Sequence, residues 1–341
     1  MFRKYTVGYV ALMLIYGMTF TYASVVGSKL PSEFFSLTFS SSFQILIAPV
    51  FMAIGFLTVQ MMRRGTELPL KTLYRYLRRE RAWLGRGILF TYLVLPFATA
   101  FTTIKIHIPT IQPYYADPVF IKLDYWLFGS DPWRYTHMVF GYIPTLILDR
   151  TYLFWILAQL LLLVGLYFNR NQSFQLKGMI SYQASWLLLG GVMATVLSSV
   201  GPCFYQEYFR DDRFLPLMET LNSFEGLSAL SIQQHLLDMR GQSAFGVGIS
   251  AMPSLHVGIS WLIVLLTKER WGFGAMWLLS VVFFCLIAIG SVHLGWHYAV
   301  DGLVSIAGVW IIWRVTSAFV DRVVAKKRRG IGMSRPLPSL R

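Results

Sequence analysis

The sequence predicts an all-α, polytopic membrane helix bundle with about eight transmembrane helices. Three observations carry this. The 341-residue chain is 55% hydrophobic and only 13% charged, against about 25% charged residues in an ordinary soluble protein. Apolar windows of roughly 18 to 22 residues, the length that crosses a bilayer as a helix, recur along it. The basic residues, finally, gather in alternate connecting segments.

The windows fall at about 7–27, 41–62, 87–104, 151–168, 179–200, 254–267, 273–292 and 298–319. The first follows "MFRKYT"; it is of span length and no small-residue cleavage site follows, so it reads as an uncleaved anchor. The sixth is short and begins near Ser254, below the outer membrane surface. Gly and Pro inside the windows fit spanning helices, whose backbone is satisfied by their neighbours. With both termini cytoplasmic, the inner segments (1–6, 63–86, 169–178, 267–272 and 314–341) hold 22 of the 30 Lys and Arg residues and 4 of the 16 acids. That is the positive-inside bias in every inner loop. The net charge of +14 is then explained by "RYLRRER" and "AKKRRG" lying against anionic lipid headgroups, and no nucleic-acid partner is expected. Two cysteines, Cys203 and Cys285, make no disulfide framework.

No linker, repeat or low-complexity tract divides the chain. Two outer segments are too long for simple turns. Residues 105–150 are dense in Pro and aromatics, as in "IPTIQPYYADP" and "LDYWLFGSDPW", which suits helices lying at the interface. Residues 201–253 carry Glu207, Asp211, Asp212, Glu219, Glu225 and Asp238. Long loops of this kind are usually functional, and together the two are expected to cap the outer end of the bundle.

This topology returns Lys105, His256, His293 and His297 to one depth at the outer side. His293, His297 and Asp301 are spaced i, i+4, i+8, which would stack them on one helical face. A carboxylate one turn from an imidazole accepts its Nδ1–H and leaves Nε2 free as nucleophile or base. An acid inside a span is a functional signal by default. Pro253 and Ser254 stand where a helix begins, and exposed N–H groups there make an anion site. The set suits a phosphoryl group: Lys105 and backbone donors hold its oxygens, one histidine attacks, another protonates the leaving oxygen. The same H-x-x-x-H-x-x-x-D spacing also occurs among metal ligands. A metal-dependent membrane enzyme is therefore one competing reading, and a transporter with an inactive site is another.

These residues resemble the type 2 phosphatidic-acid phosphatase superfamily, with motifs KxxxxxxRP, PSGH and SRxxxxxHxxxD. Here they read "KIHIPTIQP" (Lys105 to Pro113), "PSLH" (Pro253 to His256) and "GSVHLGWHYAVD" (Gly290 to Asp301). "MPSLH" and "HYAVD" are most similar to the branch containing inositol phosphorylceramide synthases. The likeness covers roughly 87–320 as a six-helix phosphatase-like core, with 1–86 adding two helices and a basic loop and 321–341 a basic tail.

The resemblance implies that His297 is the nucleophile of a phosphohistidine intermediate, oriented by Asp301. His256 is the general acid, and Lys105 and Ser254 bind phosphate. It departs from the pattern where Gln112 and Ser291 stand in place of arginines and Leu255 in place of glycine. Gln112, Ser291 and His293 are expected beside the phosphate, His293 making up for a lost cation. No metal and no cofactor is called for. A phosphomonoester approaches two negative charges at neutral pH and a phosphodiester carries one. The loss of two arginines thus favours a lipid phosphotransferase, with a phospholipid donor and a lipid alcohol acceptor among the membrane lipids, over a lipid phosphatase using the same site.

Overall fold

The computed structural model describes residues 5–27, 55–242 and 246–331, with side chains to 325. All the regular structure among these residues is helical. The expected second span, 41–62, lies mostly outside them; residues 55–63 are helical.

Six helices are long and apolar enough to cross a membrane: α1 (Thr6–Val26), α3 (Arg81–Ile111), α6 (Tyr142–Tyr167), α7 (Gln172–Val196), α12 (Ala275–His293) and α13 (Ala299–Ile331, apolar over Ala299–Ala325). The chain is an integral membrane protein. Between α7 and α12 stands α11 (Leu255–Trp271), 17 residues long and capped by Ser254, which the short sixth window foretold. The faces turned outward are apolar, as at Leu278, Leu279 and Val282 on α12 and Trp310, Ile311 and Val315 on α13. In water such a surface would drive aggregation; against lipid tails it needs no cover.

The windows underestimate several helices. α6 begins at Tyr142 rather than 151, because Asp149 and Arg150, which break the apolar window, find partners outside the helix. Asp149 accepts from the backbone N–H groups of Ser228 and Ala229 at 3.0 and 2.8 Å. Arg150 donates to the Gly226 carbonyl at 2.8 Å and to the Ser228 hydroxyl. α3 runs through Pro96 to Ile111, so Lys105 lies inside a helix and not in a loop. α7 relaxes into a π-helical stretch over Trp186–Met193, a distortion often found at functional sites.

α1 packs on α3 and α7 rather than standing apart: Leu12, Tyr16, Thr19 and Ala23 are buried. Tyr16 meets the Phe97 ring edge-on at 5.4 Å and accepts from Gln183 Nε2 at 2.8 Å. At one end of the bundle, α2 (Pro69–Arg79) precedes α3, and Lys177 binds Glu269 and Asp321 at 2.9 and 3.0 Å, tying α7, α11 and α13 together.

The two long segments at the other end are helical. The first forms α4 (Asp117–Phe128) and α5 (Pro132–Val139); the second forms α8 (Tyr205–Phe209), α9 (Leu215–Asn222) and α10 (Ser228–Asp238). Arg213 joins the two segments by an ion pair to Asp131 at 2.8 Å, and Phe214, Leu217 and Leu221 are buried beneath. The expected cap is there, built of short helices.

Candidate active site

The site assembles where the starts of α11 and α13 meet. Ser199 accepts the Met252 N–H on its hydroxyl and the Ala251 N–H on its carbonyl, both at 3.0 Å. This pins the residues before α11. The Ser254 N–H reaches the Asp301 carbonyl at 3.4 Å, which brings the two helix starts together.

His256, in the first turn of α11, is flanked by aromatic rings from α6. Tyr152 stacks on it at 4.4 Å and 16°, and Trp155 lies 4.1 Å away at 35°. The ring centroids of His256 and His297 are 6.2 Å apart. His297 Nδ1 faces Asp301 Oδ2 at 3.3 Å. An ionised carboxylate only accepts, so with Asp301 ionised this contact takes the proton on Nδ1 and leaves the Nε2 lone pair free.

Lys105, His256 and His297 line one cavity of about 570 Å³. At this end its other walls include Gly248, Ser250, Pro253 and Trp296; away from it the cavity runs among Val94, Phe97, Ala98, Ile156, Leu160 and Leu163 of α3 and α6. Ile156 and Leu160 are about half exposed on the outer face of the bundle. The space therefore joins a polar head to an apolar tail section that reaches the lipid-facing surface. Among the described residues Lys105 is the sole lysine or arginine in that lining.

The other expected residues lie elsewhere. Ser254 is fully buried and caps α11, its hydroxyl accepting from the Val257 N–H at 3.4 Å. Gln112 ends α3 in an extended conformation, Ser291 is buried with its hydroxyl on the Ala288 carbonyl at 2.8 Å, and neither borders the cavity. His293 is fully buried away from it: Nε2 meets the Thr145 hydroxyl at 2.8 Å and Nδ1 the Thr136 hydroxyl at 2.9 Å. It ties α12 to α5 and α6 and does not replace a lost phosphate-binding cation.

The i, i+4, i+8 stack is also corrected. α12 ends at His293 and α13 begins at Ala299, with Gly295 turning the chain at φ +74°. A φ of this sign strains any residue with a Cβ. His297 therefore sits in a loop between two helices, and the metal-ligand spacing does not converge. No group of three or more His, Cys, Asp or Glu among the described residues is placed to hold a metal ion.

Nothing in the sequence singles out Tyr152 and Trp155. An aromatic pair three apart inside an apolar window looks like core packing, and only the stacked imidazole distinguishes it. Nor does the sequence single out Asp117 and Asp124 of α4. Both are buried, at 0% and 2% exposure. Burial pushes each carboxyl up to about 6, against the opposing effect of backbone N–H donors.

A membrane-embedded helical bundle with this pocket has the makings of a phosphoester-processing membrane enzyme. Residues 120–315, more than half of the chain, match the family model of the PAP2 superfamily. The chain belongs to that superfamily, whose members are phosphatases or phosphotransferases acting on phosphoesters. The match takes in the second and third motifs; Lys105 precedes it. The chain has no significant match among curated proteins or among solved structures.

Proposed function

We propose that this protein is a lipid phosphotransferase that moves a phosphorylated headgroup between lipids through a phosphohistidine. The observation that carries this reading is the cavity: His256, His297 and one lysine at its head, with an apolar section open toward lipid behind them. A water-soluble phosphoester has no use for the apolar section. Among the described lining residues Lys105 is the one fixed cation, and His256 is positive only until it gives up its proton; a singly charged diester is matched by Lys105 throughout, whereas a phosphomonoester near a charge of −2 is not. The sequences "MPSLH" and "HYAVD" add the resemblance to the inositol phosphorylceramide synthase branch.

In this chemistry His297 Nε2 attacks phosphorus while Asp301 stabilises the developing imidazolium through Nδ1–H. The bond to the donor's alcohol breaks, and His256 protonates that leaving oxygen. Deprotonated His256 then takes the proton from the acceptor lipid's hydroxyl. The hydroxyl oxygen attacks phosphorus, the N–P bond breaks, and His297 is restored. Lys105 balances the phosphate charge throughout. Tyr152 and Trp155 hold the His256 ring by its faces.

The test is product analysis with purified protein in mixed micelles of a phospholipid and a lipid alcohol such as ceramide or diacylglycerol. A new phospholipid carrying the donor's headgroup is expected. Release of inorganic phosphate or a water-soluble phosphorylated headgroup, with no new lipid, would make the enzyme a hydrolase.

The site is assigned to the outer, periplasmic or lumenal, side, with both termini cytoplasmic, on the strength of the positive-inside bias. Impermeant thiol labelling of intact cells should reach a cysteine placed at Asp212 and miss one placed at Lys71; both positions are exposed. The reverse pattern would put the site in the cytoplasm.

A further inference from the structure

His297 precedes α13 and Asp301 lies within its first turn, so no helical repeat aligns the pair. Their contact depends on what holds the segment from Gly295 to Val300. The Gly295 carbonyl accepts from the Cys203 N–H at 2.8 Å, and the His297 N–H donates to the Ser291 carbonyl at 3.0 Å. Asp301 itself accepts from the Tyr298 N–H at 3.1 Å, and further hold comes from α4. Asp124 accepts from the N–H groups of Ala299 and Val300 at 2.8 and 2.9 Å. These are the first residues of α13, whose opening N–H groups have no partner within their own helix. The cap that a local Ser or Asp usually supplies comes here from another helix. Asp117 accepts from the Tyr298 phenol at 2.9 Å, next in sequence to His297, and from the Gly201 and Val200 N–H groups at 2.8 and 3.0 Å. Gly201, at φ +89°, fits so closely beneath the Trp296 carbonyl that an added Cβ would lie 2.5 Å from its oxygen.

Asp117 and Asp124 are seven residues apart, two turns along one face of α4. Among the described residues no lysine or arginine forms an ion pair with either. A buried carboxylate is costly unless donors surround it. Here four backbone N–H groups and one phenol do so, and three of those five donors belong to residues 298–300. We propose that Asp124, seconded by Asp117 through Tyr298, is a positioning residue that aligns His297 with Asp301 by clamping the start of α13 from α4. The inference rests on the proposed role of His297 as nucleophile, but its structural part is readable without turnover.

The test follows the His297 ring in ¹⁵N-histidine-labelled full-length protein in micelles, its signals assigned with His297→Asn. Wild type should show the Nδ1–H tautomer with the downfield proton of an imidazole bonded to a carboxylate. Asp124→Ala should lose that proton signal. Its kcat should fall about 10- to 100-fold, the scale of a reacting group displaced by around an ångström, with KM changed less than about threefold. Asp124→Asn, which keeps one acceptor oxygen, should recover part of both. If Asp124→Ala does not fold, Tyr298→Phe carries the test. It deletes one hydroxyl and should weaken the proton signal and lower kcat severalfold. A folded Asp124→Ala, or failing it Tyr298→Phe, with the wild-type spectrum and wild-type kcat would overturn the clamp. A wild-type spectrum without the Nδ1–H tautomer would overturn it too. A protein that shows the signature and its loss on substitution, yet turns over no phosphoester, would support the clamp and contradict the functional reading instead.

Discussion

Replacing His297 with alanine is expected to lower turnover by about 10⁴-fold or more, the scale seen when a covalent nucleophile is deleted from an otherwise intact site. Substrate binding should survive, because Lys105 and the apolar walls of the cavity are untouched. The fold should survive as well. His297 is 7% exposed toward the cavity, and its side chain bonds Asp301 alone. The loss should be the same for a lipid substrate and for a p-nitrophenyl phosphodiester, since both must be attacked. Steady-state kinetics on the two substrates, with circular dichroism to confirm folding, makes the measurement. Retention of more than a few per cent of activity in folded protein would remove His297 as nucleophile.

His256→Ala should behave differently. Loss of proton transfer to a poor leaving group is typically worth about 10²–10⁴-fold, and a lipid alkoxide is such a group. A p-nitrophenolate leaves without help. The first half-reaction with the nitrophenyl ester should therefore run near the wild-type rate. The second half-reaction needs a base for the incoming hydroxyl and should be slow. The variant is then expected to show a burst of nitrophenol followed by a low steady rate. An equal loss on both substrates, with no burst, would mean that His256 binds or orients substrate rather than transferring protons.

The fold was legible to the extent that it follows from apolar length. Six windows became helices long enough to cross, and the short sixth window became α11 with Ser254 as its cap. The boundaries failed where charges sat inside a helix. Asp149 and Arg150 end a hydropathy window, yet both are satisfied by α10 and the residues before it, which no local reading can see. Lys105, His256, His297 and Asp301 were readable because a titratable group in an apolar segment has few reasons to be there. Gln112, Ser291 and His293 were placed by their positions in a motif. The motif fixes distance along the chain, but His293 ends α12 facing Thr136 and Thr145, and the turn at Gly295 carries only His297 to the cavity. Tyr152, Trp155, Asp117 and Asp124 escaped notice for the opposite reason. Their spacing is ordinary, and their meaning lies in contacts made across more than a hundred residues with His256 and the start of α13.

The proposed mechanism requires a covalent bond between phosphorus and His297, and His256→Ala offers the means to trap it. The purified variant would be mixed with a p-nitrophenyl phosphodiester, quenched in alkali, in which a phosphohistidine bond persists, and digested for mass spectrometry. About one equivalent of nitrophenol in the burst and the phosphoryl adduct on His297 are expected. No adduct despite turnover, or an adduct on another residue, would contradict the mechanism.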